Sequence, residues 1–388
     1  MFDGFLRVAA ATPDIRVADC NFNGASAAAL VSEAYEQGVS LLVLPELCLT
    51  GYTCSDLFLQ ESLLDGAGKA LLTLTEATRD KNMVVLAGLP LTVNGVLYNV
   101  AAVLHDGDIL GFVPKSYLPT YSEFYEGRHY HSGADIETDV LFNGRKYPFG
   151  TRLLFRCRQM PAFTLGIEIC EDLWVAQPPS ISHALAGATV IANLSASDET
   201  TGKDIYRRSL VSGQSARLVC GYIYADAGEG ESSTDLVFGA HNLICENGSI
   251  LAESERFSNQ MIMADMDMSK LISERRRMTT WQPKFDNGYR VIDFDLEMHE
   301  VDLRRFIDPH PFVPDDAMDR TRRCEEILTI QAMGLKKRLA HTHCRHAVVG
   351  ISGGLDSTLA LLVTVRAFDM LDMDRSQIMA VTMPCFGT

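Results

Sequence analysis

Short apolar runs alternate with segments of helical periodicity at the start of the chain. Residues 5–11 and 41–44 predict strands, and a helix between them is capped by Asn23 and ended by Gly38. A second helix over 63–81 leads to a third strand at 83–87. Apolar strands that alternate with helices are typical of a sheet covered by helices, so the pattern predicts an α/β domain.

The pattern then changes to hairpins, because Asn94-Gly95 and Asp106-Gly107 are strong two-residue turn signals. The stretch 116–147 lacks periodicity and predicts a long loop that forms a wall or lid of a site. Further strands are predicted at 152–156, 163–170, 189–194, 219–224 and 261–265, with helices near 182–187 and 203–218.

The composition changes again after residue 265. Residues 266–316 are charged and interrupted by prolines, which predicts a linker or arm. A helix over 318–339, a strand at 347–351, a helix ending near 368 and a strand at 378–382 then begin a second α/β unit. We therefore expect domains at 1–265 and 317–388, and we expect the second to be a fragment.

Composition and charge narrow the class of protein. The chain has 388 residues, ten cysteines and a formal charge of −16. Because the cysteines form no C-x-x-C pair and no apolar run is long enough to cross a bilayer, we expect a cytoplasmic protein with reduced thiols and no metal site. The negative charge argues against nucleic-acid and membrane partners. The one short basic run, 275–277, is interpreted as a solvated face.

Three chemically useful residues directly follow predicted apolar strands: Glu46, Lys115 and Cys170. At the carboxyl ends of strands in one sheet they would lie together. A thiol nucleophile, a carboxylate base and a cation are what amide cleavage requires. Each residue also has an ordinary interpretation, namely a helix cap, a solvated lysine and a buried inert cysteine.

The motifs around these residues resemble known families. LPE at 44–46, PKSYL at 114–118 and ICEDLW at 169–174 resemble the Glu-Lys-Cys motifs of the nitrilase superfamily. LTGY at 49–52 and LPTYSEFYE at 118–126 are similar to the amidase domain of the glutamine-dependent NAD+ synthetase family. SGGLDS at 352–357 resembles the opening of that family's ATP-pyrophosphatase domain, which continues beyond the segment that matches MPCFGT at 383–388.

The resemblance implies an α-β-β-α sandwich, a linker, and the first β-α-β part of a Rossmann-like domain. It implies that Cys170 attacks the glutamine carboxamide, that Glu46 accepts the proton, and that Lys115 and the N–H of Glu171 hold the oxyanion. Glu123 resembles the second acid beside the lysine, although Glu126 competes for this role. Glutamine-binding residues implied in the same way are Tyr52, Tyr121, Glu171, Ser197 and Lys203.

The same resemblance implies ATP, Mg²⁺ and nicotinate-adenine dinucleotide as ligands of the full synthetase, a homo-oligomer, and no cofactor for the glutaminase half. The loop residues that would hold a pyrophosphate are Ser352, Gly353, Gly354, Asp356 and Ser357, and a tight strand-to-helix turn is the less favoured alternative because serines and an aspartate flank the glycines.

Two further expectations concern the pKa of the Cys170 thiol and the alternatives to a glutaminase. We expect Glu171 and Asp172 to raise the pKa of the thiol and Lys115 to lower it. The alternatives to a glutaminase are a free-standing amidase for another small amide and an inactive assembly module of the same fold.

Overall fold

The computed structural model describes residues 4–234, 236–284 and 288–383. It divides the chain into two compact units, Met1–Arg305 and Phe306–Thr388. Most of the predicted MPCFGT segment lies outside the described residues. No helix among the described residues has the length and apolar character needed to span a bilayer.

The first unit contains a mixed eight-stranded sheet. Its strands, in spatial order, are β14 (Met261–Asp267), β1 (Phe5–Ala11), β2 (Leu41–Val43), β3 (Val84–Val93), β4 (Val96–His105), β5 (Asp108–Pro114), β7 (Arg145–Gly150) and β6 (Glu137–Phe142). The hairpin β6–β7 begins inside the stretch predicted as a long loop and ends three residues beyond it. Its strands are short and largely polar on one face, so the sequence carries little apolar periodicity there.

Two helices, α1 (Cys20–Glu36) and α2 (Glu61–Ala77), pack on the outer face of this sheet. Asp19 rather than Asn23 caps α1, since its side chain accepts from the backbone N–H of Phe22. Asn23 is buried within the helix, where its amide bonds to both backbone groups of Arg16. The polar side chain therefore secures the preceding loop instead of ending the helix.

The second sheet of this unit has seven strands. In spatial order they are β13 (Ser249–Glu253), β12 (Leu243–Glu246), β11 (Gly221–Asp226), β10 (Val190–Ser195), β9 (Thr164–Ile169), β8 (Leu153–Cys157) and β15 (Arg290–Phe294). Helices α3 (Pro179–Leu185) and α4 (Lys203–Leu218) cover its outer face. The inner faces of the two sheets share one buried apolar core. The predicted α-β-β-α sandwich is confirmed.

The predicted linker differs from the structure in its first part. Residues 268–277 form α5 (Met268–Arg277), and β15 pairs in parallel with β8, so the first unit extends to Arg305. Arg275 is buried and donates to the carbonyls of Val219 and Ala188. The interpretation of 275–277 as a solvated face is therefore wrong for Arg275. Its guanidinium binds backbone carbonyls that an apolar side chain would leave unpaired.

The second unit begins with an irregular segment and continues as α6 (Ala317–Thr342), β16 (Ala347–Gly350), α7 (Leu355–Asp369) and β17 (Ile378–Val381). The two strands pair in parallel with α7 between them, which gives the predicted β-α-β part. Its small core includes Leu339, Val363 and Phe368.

Candidate active site

The three strand-end residues come from both sheets. Glu46 follows β2 and Lys115 follows β5 in the first sheet, whereas Cys170 follows β9 in the second. The expectation that all three lie at the edge of one sheet is wrong, because the two sheets face each other and their strand ends meet across the core. All three residues are buried, and Lys115 Nζ lies 2.7 Å from Glu46 Oε1.

The backbone at these strand ends is strained. Cys170 begins a short 3-10 turn with φ of +46°, and Leu47 has φ of +51°. Non-glycine residues rarely adopt this region and do so where the surrounding structure holds them. Gly88 on β3 passes directly under the turn after Glu46, since a Cβ at Gly88 would lie 2.2 Å from the backbone nitrogen of Leu47. Only glycine allows this approach.

The carboxylate of Glu46 is held on both oxygens. Oε1 accepts from Lys115 and from Asn99 Nδ2 at 2.6 Å, and Oε2 accepts from the backbone N–H of Ala196 at 3.0 Å. Asn99 lies on β4 and Ala196 directly follows β10, so the carboxylate connects the two sheets. A carboxylate held in this way keeps one orientation when it accepts a proton.

A second carboxylate contacts the lysine, and it belongs to Glu126. Lys115 Nζ lies 2.7 Å from Glu126 Oε1, which also accepts from the hydroxyl of Tyr52 at 2.8 Å. Glu123 is half-buried and lines a neighbouring cavity of about 140 Å³. The structure thus places Glu126 rather than Glu123 beside Lys115, because a one-turn 3-10 helix at Glu126–Arg128 directs Glu126 inward.

Charge and burial act on the site in opposite directions. Burial raises the pKa of the Cys170 thiol well above its usual range, Glu46 raises it further, and Lys115 lowers it. Burial alone would lower the pKa of Lys115, but Glu126 and Glu46 outweigh it and hold that pKa high. Burial raises the pKa of Glu126 to about 7, against the lowering effect of Lys115. The acids with the largest raising effect on the pKa of the thiol are thus Glu46 and Glu126, rather than the predicted Glu171 and Asp172.

Asp172 has a different part, which the sequence did not indicate. Its buried carboxylate accepts from the backbone N–H of Ile169 at 3.0 Å, and from those of Tyr117 at 2.8 Å and Ser116 at 3.2 Å. It therefore joins the end of β9 to the segment that follows Lys115. Burial raises its pKa to about 7.

Several residues predicted to bind substrate already have hydrogen-bond or ion-pair partners in the structure. The hydroxyl of Tyr121 donates to Glu171 at 2.8 Å, and Lys203 pairs with Asp198. Ser197 is buried, and its backbone N–H donates to Asp226. Tyr121 is more than half exposed, so the Tyr121–Glu171 contact lies at the edge of solvent.

The glycine-rich loop of the second unit lies between β16 and α7, as predicted. Gly353 has φ of +86°, and Gly354 is the N-cap of α7. The backbone N–H of Ser352 donates to Ser357 Oγ at 3.3 Å, and the loop side chains are largely exposed. Its shape suits a tight turn and also an anion at a helix N-terminus.

Comparison with known proteins adds the family. The sequence matches the carbon-nitrogen hydrolase family over residues 7–276, which include all of the clustered side chains described above. The chain belongs to the carbon-nitrogen hydrolase family. A second match, to the NAD synthase family, covers residues 327–388 and includes the glycine-rich loop.

Curated relatives carry both regions in one protein. The chain is 44% identical to a glutamine-dependent NAD(+) synthetase of Mycobacterium bovis over 99% of this chain and 58% of that protein. A protein of the same name from Mycobacterium leprae is 42% identical over the same shares. These matches confirm the resemblance to this family. The chain spans about 58% of the length of these relatives.

Solved structures agree with the fold. A glutamine-dependent NAD(+) synthetase from Cytophaga hutchinsonii matches with a TM-score of 0.62 and 25% identity, covering 94% of this chain and 52% of that one. A carbon-nitrogen hydrolase from Helicobacter pylori matches with a TM-score of 0.56 and 17% identity, covering 72% of this chain and 95% of that one, and supports the fold alone.

Proposed function

We propose that the first unit hydrolyses the side-chain amide of glutamine and that the ammonia serves ATP-dependent amidation of nicotinate-adenine dinucleotide to NAD+. The observation that carries the proposal is the buried contact of Lys115 with Glu46 and Glu126 beside the Cys170 thiol. The names of the relatives support glutamine as the amide and NAD+ as the product.

In the first step the sulfur of Cys170 attacks the carboxamide carbon while its proton passes to Glu46. Because the resting thiol has a raised pKa, proton transfer accompanies the attack. The oxyanion is held by Lys115 and the backbone N–H of Glu171. The N–H of Cys170 is already engaged, since it donates to Asn193 Oδ1 at 3.1 Å.

Collapse of the tetrahedral species breaks the C–N bond, and Glu46 returns its proton to the departing ammonia. A γ-glutamyl thioester remains on Cys170. Glu46 then takes a proton from water, which attacks the thioester carbon and releases glutamate. Glu46 is suited to these three transfers because Asn99 and Ala196 keep its orientation constant.

Substrate recognition uses the mouth of the site. Glu171 meets the α-ammonium of glutamine, and Lys203 meets its α-carboxylate. Tyr121 now occupies one oxygen of Glu171, and Asp198 pairs with Lys203, so both charged groups are held in place before substrate arrives. Tyr52 and Ser197 complete the pocket as implied by the family motifs.

The second unit contributes the nucleotide half of the reaction. Ser352, Gly353, Gly354, Asp356 and Ser357 would hold the pyrophosphate of ATP, and Mg²⁺ would neutralise part of the phosphate charge. The hydroxyls of Ser352, which is exposed, and Ser357, which is half-buried, lie 3.3 Å apart at the start of α7, which supports this assignment. The same proposal includes assembly of this protein into a homo-oligomer.

Mixing the purified protein with glutamine and measuring glutamate and ammonia tests the first unit. We expect turnover that Cys170→Ala abolishes without a change in fold, since the loss of one sulfur removes little volume. Cys220→Ala is the matched control, because it removes a buried thiol at the opposite end of the strands. Turnover of other small amides, but not of glutamine, would favour the free-standing amidase. An active Cys170→Ala would disprove the nucleophile.

A further inference from the structure

The sulfur of Cys170 has a hydrogen-bond partner that the mechanism above does not use. Ser195, the last residue of β10, places its Oγ 3.4 Å from Cys170 Sγ. The same Oγ lies 2.6 Å from the hydroxyl of Tyr224 on the adjacent strand β11. Cys170 is only 6% exposed, and Ser195 and Tyr224 are fully buried. Three residues on neighbouring strands thus form a chain that ends on the reacting sulfur.

The direction in which the hydroxyls of Tyr224 and Ser195 donate follows from the hydrogen-bond partners that each has. Among the described residues, Ser195 is the one recorded hydrogen-bond partner of the Tyr224 hydroxyl. A buried phenol donates its single proton where it can, because an unpaired buried donor is costly. Tyr224 therefore donates to Ser195 Oγ. The hydroxyl proton of Ser195 is then free to point at the sulfur.

The charges around the sulfur explain why such a donor matters. Lys115 is the cation that lowers the pKa of the thiol, and it contacts the two carboxylates of Glu46 and Glu126. The three groups carry no net positive charge when one carboxylate is ionised, and a net negative charge when both are. Titratable groups that interact electrostatically with the sulfur, among the described residues, include Glu46, Lys115, Glu126, Tyr52, Tyr121 and Tyr224.

We propose that Ser195, oriented by Tyr224, donates a hydrogen bond to Cys170 Sγ and stabilises the negative charge that develops there. The charge appears when the thiol proton passes to Glu46 and the S–C bond forms. It appears again when the thioester is hydrolysed, because the S–C bond breaks and the sulfur then recovers its proton from Glu46. Ser195 keeps its own proton throughout. The role of this hydrogen bond in glutamine turnover rests on the proposed function.

The thiol itself can be tested without glutamine. Alkylation of Cys170 by iodoacetamide, followed by mass spectrometry of the peptide that carries Cys170, reports the thiolate fraction below the pKa of the thiol. For Ser195→Ala we expect alkylation to be slower by roughly tenfold or more at a fixed pH, with the pH profile displaced to higher pH, as for loss of a hydrogen bond to a charged group. Ser195→Thr keeps the hydroxyl and is expected to restore most of the rate.

Two tyrosine variants complete the set. Tyr224→Phe leaves Ser195 in place but removes its orienting partner, so we expect a smaller displacement in the same direction. Tyr147→Phe is the matched control, because Tyr147 is also a buried tyrosine whose hydroxyl bonds to a neighbour, here Asp108, near the far edge of the first sheet. We expect no displacement for this control. If Ser195→Ala does not fold, Tyr224→Phe decides the question.

Glutamine kinetics provide the second measurement. A donor to the developing charge affects kcat and leaves KM nearly unchanged. A folded Ser195→Ala with the wild-type alkylation profile overturns the proposal, and so does a Ser195→Thr as slow as Ser195→Ala at wild-type stability. If the wild-type protein alkylates at Cys170 but hydrolyses no glutamine, the proposed function fails, and the alkylation profiles still decide the role of Ser195.

Discussion

Replacing Glu126 by glutamine removes a buried negative charge beside Lys115. The substitution tests how much this charge destabilises the fold and how much it contributes to activity. Glu126 is 5% exposed and shares its Oε1 between Lys115 and Tyr52. Its other oxygen, Oε2, is buried and has no hydrogen-bond partner among the described residues. The amide of glutamine has nearly the same shape as the carboxylate, but it carries no charge and does not titrate.

The magnitude follows from the pKa of Glu126. Burial raises this pKa from 4.5 to about 7, so the folded state keeps its proton at a pH at which the unfolded state has lost it. Stability therefore falls as the pH rises through this window, and the full cost is present above the pKa of the folded state. The shift corresponds to about 3 kcal/mol.

Urea unfolding at a pH near each end of this window measures the effect. Both tryptophans of the chain, Trp174 and Trp281, lie in the first unit, so their fluorescence reports the unfolding of that unit. We expect the free energy of unfolding of Glu126→Gln, relative to wild type, to increase by about 3 kcal/mol from low to high pH. Effects that do not depend on pH, such as an unpaired amide N–H, cancel in this difference.

The same variant is expected to lose activity. Without the carboxylate of Glu126, Lys115 keeps one charged partner and is less firmly held, so kcat should fall by roughly tenfold or more. Glu123→Gln is the matched control because Glu123 has no contact with Lys115, and its kcat should stay within about twofold of wild type. A stability difference that is the same at both pH values would refute the conclusion that the buried charge of Glu126 destabilises the folded state. A larger loss of kcat in Glu123→Gln would refute the choice of acid.

Two further substitutions test the site and its scaffold. Lys115→Met should lower kcat by about a factor of 10² with little change in KM, because the cation acts on charge that appears during the reaction, and steady-state kinetics with glutamine check this. Gly88→Ala should destabilise the first unit by about 2 kcal/mol or more, since its Cβ would meet the backbone of Leu47. Gly213→Ala, which has open space in α4, should stabilise it slightly in the same urea assay.

The sequence predicted the strand ends well because their signal is local. An apolar run that stops at a charged or reactive residue marks the end of a buried strand, and Glu46, Lys115 and Cys170 all follow this pattern. It did not show that the strands belong to two sheets. Apolar periodicity identifies a buried strand without saying which neighbour pairs with it.

The residues that surround the three could not be assigned in the same way. Glu123 and Glu126 lie in one aperiodic stretch, and only the 3-10 turn decides which carboxylate points inward. Asn99 and Ser195 lie within or at the end of apolar strands. A single polar residue in such a strand is a usable signal, because a buried polar group requires a partner, but the sequence does not name that partner.

The chemistry of the site depends on balancing buried charges. Glu46 accepts the thiol proton in the proposed reaction, and its contact with Lys115 holds the carboxylate in place. Glu126 helps to hold the lysine between the two sheets, but its own charge weakens the attraction that the lysine offers to the sulfur. A second cation would restore that attraction, but it would also pair with the carboxylate that accepts the thiol proton in the proposed reaction. Neutral donors avoid this conflict, because in the proposed reaction the hydroxyl of Ser195 and the backbone N–H of Glu171 would stabilise charge on sulfur and oxygen without adding a charge to the site.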